Sequence, residues 1–206
     1  RWYAAASVLR CSPLNRALVF QLGLVVMTKR DFDFIATLVA EFFQQRHIKK
    51  RLELIESKPI TGWEVWLQVE FSVFLEAQLE VAYWEREFQY SIDRRKARHR
   101  EYMAIDFVIR KKNATRGQYI ALEIKQNSSV KSCIRGMMED THKVALVKGS
   151  HDDLRSMWTL GIHPNIGEDA LLDIIYEYAE CFDVELISGC VATQPIGMTK
   201  LAYTLF

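Results

Sequence analysis

The chain has 206 residues, half of them hydrophobic and 12% aromatic, enough to build one sizeable core with a small helical addition. Its formal net charge is +1, which excludes a global electrostatic field directed at nucleic acid and leaves only a local basic footprint. The four cysteines, Cys11, Cys133, Cys181 and Cys190, have no CxxC or Cys–His spacing, so neither a zinc site nor a disulfide framework is expected. A reducing, cytoplasmic location is the default.

Residues 1–60 are expected to form an N-terminal helical segment packed on the core. Ala17 to Met27 is apolar but only eleven residues long, too short to cross a bilayer. Arg10 and Arg16 precede it, but no A-x-A cleavage site follows, so a packed strand or helix is expected rather than a signal peptide. Met27 is a candidate native start, with residues 1–26 then acquired upstream. From Asp31 to Ser57, Phe32, Ile35, Leu38, Val39, Phe42 and Phe43 recur at helical spacing. This predicts one long amphipathic helix with Asp31 as N-cap, ended by Lys58-Pro59.

Thr61-Gly62-Trp63-Glu64 reads as a capping box opening a second helix to about Leu79. That helix is apolar nearly all round and is expected to be buried. Glu70 falls on its Trp66, Val73, Phe74 and Ala77 face, where a carboxylate needs a partner such as an arginine or a metal ion. Val81 to Ser91 alternates as a strand. Arg94, Arg95, Lys96, Arg98 and Arg100 follow, a cationic run suited to phosphate contacts; a solvated loop is the alternative.

Tyr102 to Arg110 and Tyr119 to Gln126 alternate with period two around a polar loop containing Asn113 and Gly117, which predicts a β-hairpin. With the turn centred near Ala114, facing residues sum to about 229, which sets Asp106 beside Glu123. Lys125 points the same way as Glu123. Like charges facing each other across a ladder are unfavourable, and a divalent cation between them removes the penalty. Further on, Ser128-Ser129 caps a helix to about Glu139, and Lys143 to Lys148 reads as a short strand. His151 to Arg155 reads as a helical turn, broken by Gly161-Ile162-His163-Pro164. A helix is predicted over Gly167 to Phe182, with closing strands at Val184 to Val191 and Leu201 to Phe206. His142, His151 and His163 read as surface or capping residues.

The order is helix with a buried acid, strand, strand with Asp106, strand with Glu123-Ile124-Lys125, helix, strand. This αβββαβ pattern over about Thr61 to Lys148 resembles the PD-(D/E)XK, or restriction-endonuclease-like, nuclease superfamily. Ile105 stands where the motif's Pro would be. The resemblance implies an α/β fold with a mixed central sheet flanked by helices, in which residues 61–206 form the nuclease-like domain. Its core would span 61–148, with C-terminal helices and strands over 149–206. The family's acid, acid and lysine fall on Asp106, Glu123 and Lys125; its helical acid falls on Glu70, with Glu64 as the second choice. Asp106, Glu123, the Ile124 backbone carbonyl and Glu70 would hold Mg²⁺, with Mn²⁺ as a substitute. Lys125 would position or activate the attacking water. The implied function is a metal-dependent DNA nuclease, in the endonuclease style, with DNA ahead of RNA as substrate, no membrane partner, and a homodimer as one open oligomeric state. The alternatives are a catalytically inactive nuclease-like domain that binds nucleic acid or a protein partner, and a plain structural α/β domain. Glu70 separates the last from the nuclease, supporting the enzyme if buried and facing Asp106 and the plain domain if exposed and paired with a lysine.

Overall fold

Ile120, Leu122 and Ile124 share one side of their strand, and all are fully buried against helices from the first third of the chain. Their neighbours Ala121, Glu123 and Lys125 point to the other side, so a single strand faces two different layers. A computed structural model describes residues 13–91, 102–148 and 153–206. The elements are α1 (Pro13–Gln44), α2 (Arg46–Ser57), α3 (Glu64–Glu76), β1 (Val81–Ser91), β2 (Tyr102–Lys111) and β3 (Tyr119–Gln126). They continue with α4 (Val130–Lys148), β4 (Leu154–Pro164), α5 (Glu168–Phe182), β5 (Ala192–Pro195) and β6 (Leu201–Leu205). The strands form one six-stranded mixed sheet in the order β1-β2-β3-β4-β6-β5. β1, β2 and β3 run antiparallel in sequence, whereas β4 pairs parallel to β3 after the α4 crossover.

α1, α2 and α3 bury Ile35, Phe42, Ile48, Leu67 and Phe71 against Phe107, Ile109, Leu122, Leu160 and Tyr203. Phe42 meets Phe71 edge-on at 5.1 Å, and Phe43 stacks on Tyr203 at 4.9 Å. α1 and α2 therefore share their core with the sheet through residues from Phe32 to Leu52. On the opposite face α4 and α5 pack through Ile134, Met137, Met138, Leu171 and Ile175. Among the described residues no helix is long and apolar enough to cross a membrane.

The β2–β3 hairpin has the anticipated register: Phe107 faces Leu122, Val108 faces Ala121 and Ile109 faces Ile120. Its turn uses positive φ at Asn113 (65°) and Gly117 (77°), which those residue types tolerate best.

Several expectations are corrected. The helix over Asp31 to Ser57 is two helices, broken at Gln45, whose ψ of 128° is extended. Asp31 is no cap. It lies buried inside α1 and pairs with Arg155, 2.6 Å from that residue's Nε, while Ser156 donates to it at 3.0 Å. The capping box does not form: Trp63 stands at the N-cap of α3 without a side-chain bond. α3 is also only half buried, because Val65, Val69 and Val73 form an exposed stripe. Residues 143–148 continue α4 rather than forming a strand, since no Gly or Pro falls among them. The strand expected there is β4. Being central, it is covered on both sides, so its alternation is hidden by buried Ser156, Thr159 and His163. The αβββαβ order therefore closes at Pro164, not at Lys148. Residues 184–191 form no strand, and His163 is buried, bonded to Thr204 Oγ1 at 2.8 Å and to the Pro164 carbonyl at 2.9 Å.

Candidate functional site: a carboxylate–lysine cluster on β2 and β3

Asp106 and Glu123 occupy facing positions of β2 and β3, directly beyond the Phe107–Leu122 pair. The Ile124 amide donates to Asp106 Oδ2 at 2.8 Å, so this carboxylate takes the place of a ladder carbonyl. The two carboxyl groups also hydrogen-bond to each other. Glu123 is 7% exposed. Burial first, then the neighbouring charges of Asp106 and Asp140, raise its pKa to about 9. Asp106 is raised too, chiefly by burial, and partly held down by the Ile124 N–H. Both carboxyls are therefore harder to ionise than free ones, burial being the main cause for each.

Lys125 lies two residues along the same face. Its Nζ is 2.7 Å from Asp140 Oδ2 on α4. Burial disfavours its charge, but the Asp140 hydrogen bond and the surrounding carboxylates outweigh this and raise its pKa.

The helical acid in the cluster is Glu64, not Glu70. Glu64 stands in the first turn of α3, and its Oε2 accepts from the Gln126 amide at 2.8 Å, where β3 ends. Burial raises its pKa; the Gln126 bond and Lys125 oppose this, and Asp106 and Asp140 add to it. Glu70 turns instead toward α2. It pairs with Arg51, lies 3.6 Å from His47 Nε2, and accepts from Trp66 Nε1 at 3.2 Å. Its need for a partner is met by the basic half of α2, so it does not face Asp106 and gives the nuclease reading none of the support expected of it. Arg94, Arg95, Lys96, Arg98 and Arg100 lie outside the described residues. The strand ends that flank them, Ser91 and Tyr102, pair with each other. Because β2 and β3 are antiparallel, Tyr102 stands at the same end of the sheet as Gln126.

Asp140 was missed from the sequence, although the signal was present. It follows Cys133 and Met137 at i+7 and i+3, on the stripe that α4 buries against the sheet. An acid on an apolar stripe is the same anomaly that drew attention to Glu70.

Four carboxyl groups, Glu64, Asp106, Glu123 and Asp140, thus act on one ammonium. Their oxygens are hard donors of the kind Mg²⁺ takes. Among the described residues, however, no three His, Cys, Asp or Glu side chains converge at metal-ligand spacing. Asp106 is engaged by the Ile124 amide and by Glu123, Glu64 by the Gln126 amide and Asp140 by Lys125. No protein-family model, curated protein or solved structure matches this chain.

Proposed function

We propose that the protein is a metal-dependent nuclease that hydrolyses phosphodiester bonds in DNA, built on a restriction-endonuclease-like core of α3, β1, β2, β3, α4 and β4. The observation that carries this reading is the Asp106–Glu123 pair, Glu123 buried and Asp106 half-buried, with Lys125 on the same face. Burying two facing carboxyls is costly for a fold that makes no use of them. A divalent cation held between them would offset that cost. The sheet order, with β3 and β4 parallel across α4, agrees with the same core.

In this reading Asp106, Glu123 and the Ile124 backbone carbonyl hold Mg²⁺ or Mn²⁺, with Glu64 in the role first given to Glu70. Such an ion, when bound, neutralises charge on the phosphate and acidifies water. Lys125 donates hydrogen bonds toward the attacking water and the developing phosphate charge. An arginine there would not reproduce a compact ammonium. Ser91 and Tyr102, the described residues nearest the basic run in sequence, stand at the sheet end that carries Lys125. A cationic run of Arg94, Arg95, Lys96, Arg98 and Arg100 suits contact with a phosphate backbone.

The test is cleavage of plasmid, linear duplex, single-stranded DNA and RNA with Mg²⁺, Mn²⁺ or EDTA. Cleavage of duplex DNA is expected with metal and none with EDTA. Asp106→Ala and Lys125→Ala should each lose about 100-fold or more. Glu64→Gln should lose about 10-fold, while Glu70→Gln should cleave like the parent. Activity that survives in both Asp106→Ala and Lys125→Ala is a contaminant, and a parent protein inert on every substrate overturns the reading. The inactive, nucleic-acid-binding alternative draws on one observation, the absence of a third converging donor among the described residues. DNA retention on a gel without cleavage would favour it.

A further inference from the structure

Lys125 runs along α4 rather than out of the site. Its stem passes over Gly136, where an added Cβ would lie 3.6 Å from Lys125 Cδ, and its ammonium ends 2.7 Å from Asp140 Oδ2. Gly136 and Asp140 are one turn apart on the same helix face. Glycine is among the worst residues for a helix interior, and aspartate is a poor one. Asp140 is also 6% exposed, where an apolar residue would serve packing at least as well. Two unfavourable helix choices, both directed at one lysine, suit a cradle for that side chain. Three other carboxylates act on the same ammonium or its surroundings: Glu64 from α3, Glu123 from β3 and Asp106 from β2. Released from Asp140, the ammonium would be drawn toward them, onto the oxygens that a metal ion needs.

We propose that Asp140 is a positioning residue: with Gly136 as the floor, it holds the Lys125 ammonium beside the carboxylate pair and off the metal-binding oxygens. Its catalytic consequence rests on the nuclease reading; its geometric part does not.

Two readouts separate them. In cleavage assays with Mg²⁺, Asp140→Asn is expected to lose roughly 10–100-fold in kcat with KM little changed. Asp140→Glu, which restores the anion, should recover most of that loss. Gly136→Leu, which pushes the stem while leaving Asp140 intact, should reproduce it, whereas Gly136→Ala should not. In metal-free protein, acetylation of Lys125 by an amine-reactive ester, followed by mass spectrometry, should rise several-fold in Asp140→Asn and return toward the parent level in Asp140→Glu. Unchanged kcat together with unchanged labelling in Asp140→Asn overturns the proposal. So does a loss of kcat that Asp140→Glu fails to restore. If Asp140→Asn does not fold, Asp140→Glu and the two Gly136 variants decide the matter. If the parent cleaves nothing, the nuclease reading falls and the labelling alone decides whether Asp140 holds the lysine.

Discussion

Glu123 stores a proton, and that has a measurable sign. Its pKa stands near 4.5 when the chain is unfolded and about 9 when folded. Between those values the folded state binds the extra proton, so stability is greatest at the acidic end and falls as pH rises through the window. Glu123→Gln keeps a hydrogen-bond donor toward Asp106 and removes the titration. At pH 9 and without metal the variant should be more stable than the parent by on the order of 1–3 kcal/mol. The gap should shrink toward pH 5. Urea unfolding at both pH values checks this; a parent stability that is flat from pH 5 to 9 would refute it. The same proton must leave when a cation binds, so Mg²⁺ uptake near pH 7 should release about one proton. Calorimetry in buffers of different ionisation enthalpy reads that number. Asp106, Glu123 and Lys125 were legible because a strand's period of two fixes which side chains share a face. The helical acid was not. Glu70 and Glu64 lie six residues apart on α3, and choosing between them needs the position of Arg51 on α2 and the end of β3, both tertiary facts.

At the scale of elements, α4 and β4 fit together through a missing side chain. An added Cβ at Gly161 would lie 2.3 Å from Met137 Sδ and 3.0 Å from Cys133 Sγ. Gly161→Ala should therefore push α4 away from the sheet and cost about 1–3 kcal/mol, seen as a lower urea midpoint with an unchanged slope. If the midpoint is unmoved, Met137 has repacked freely and the close approach is not a constraint. These same elements were misassigned from sequence. Lys143 to Lys148 is a short apolar run that fits strand or helix equally, and only continuity with the helix begun at Ser129 decides it. Gly161 looked like a breaker because a glycine needed for close packing cannot be told from one needed for a turn. β1, β2, β3 and α5 were read to within a residue or so because their patterns are long and unambiguous.

At the scale of the molecule, a buried ion pair ties the first helix to the fourth strand. Asp31 on α1 is 1% exposed and binds Arg155 and Ser156, and Arg155 also donates to Gln118 Oε1 at 3.3 Å. Asp31→Ala would leave a half-buried guanidinium without its anion and should cost roughly 3 kcal/mol or more by chemical denaturation. A loss below about 1 kcal/mol would show that water or Gln118 replaces the carboxylate. This clamp could not have been read from the sequence, where an acid ahead of an apolar helical run looks like a cap.

The clamp also bears on how the chain reaches its native state during synthesis. Asp31 leaves the ribosome more than 120 residues before its arginine, and the inner strands of the sheet wait for β4 and β6 to cover them. A nascent chain halted before Arg155 carries a solitary anion at a position made for a dry interior. Such intermediates should stay open, and should lean on chaperones, until the last quarter of the polypeptide emerges.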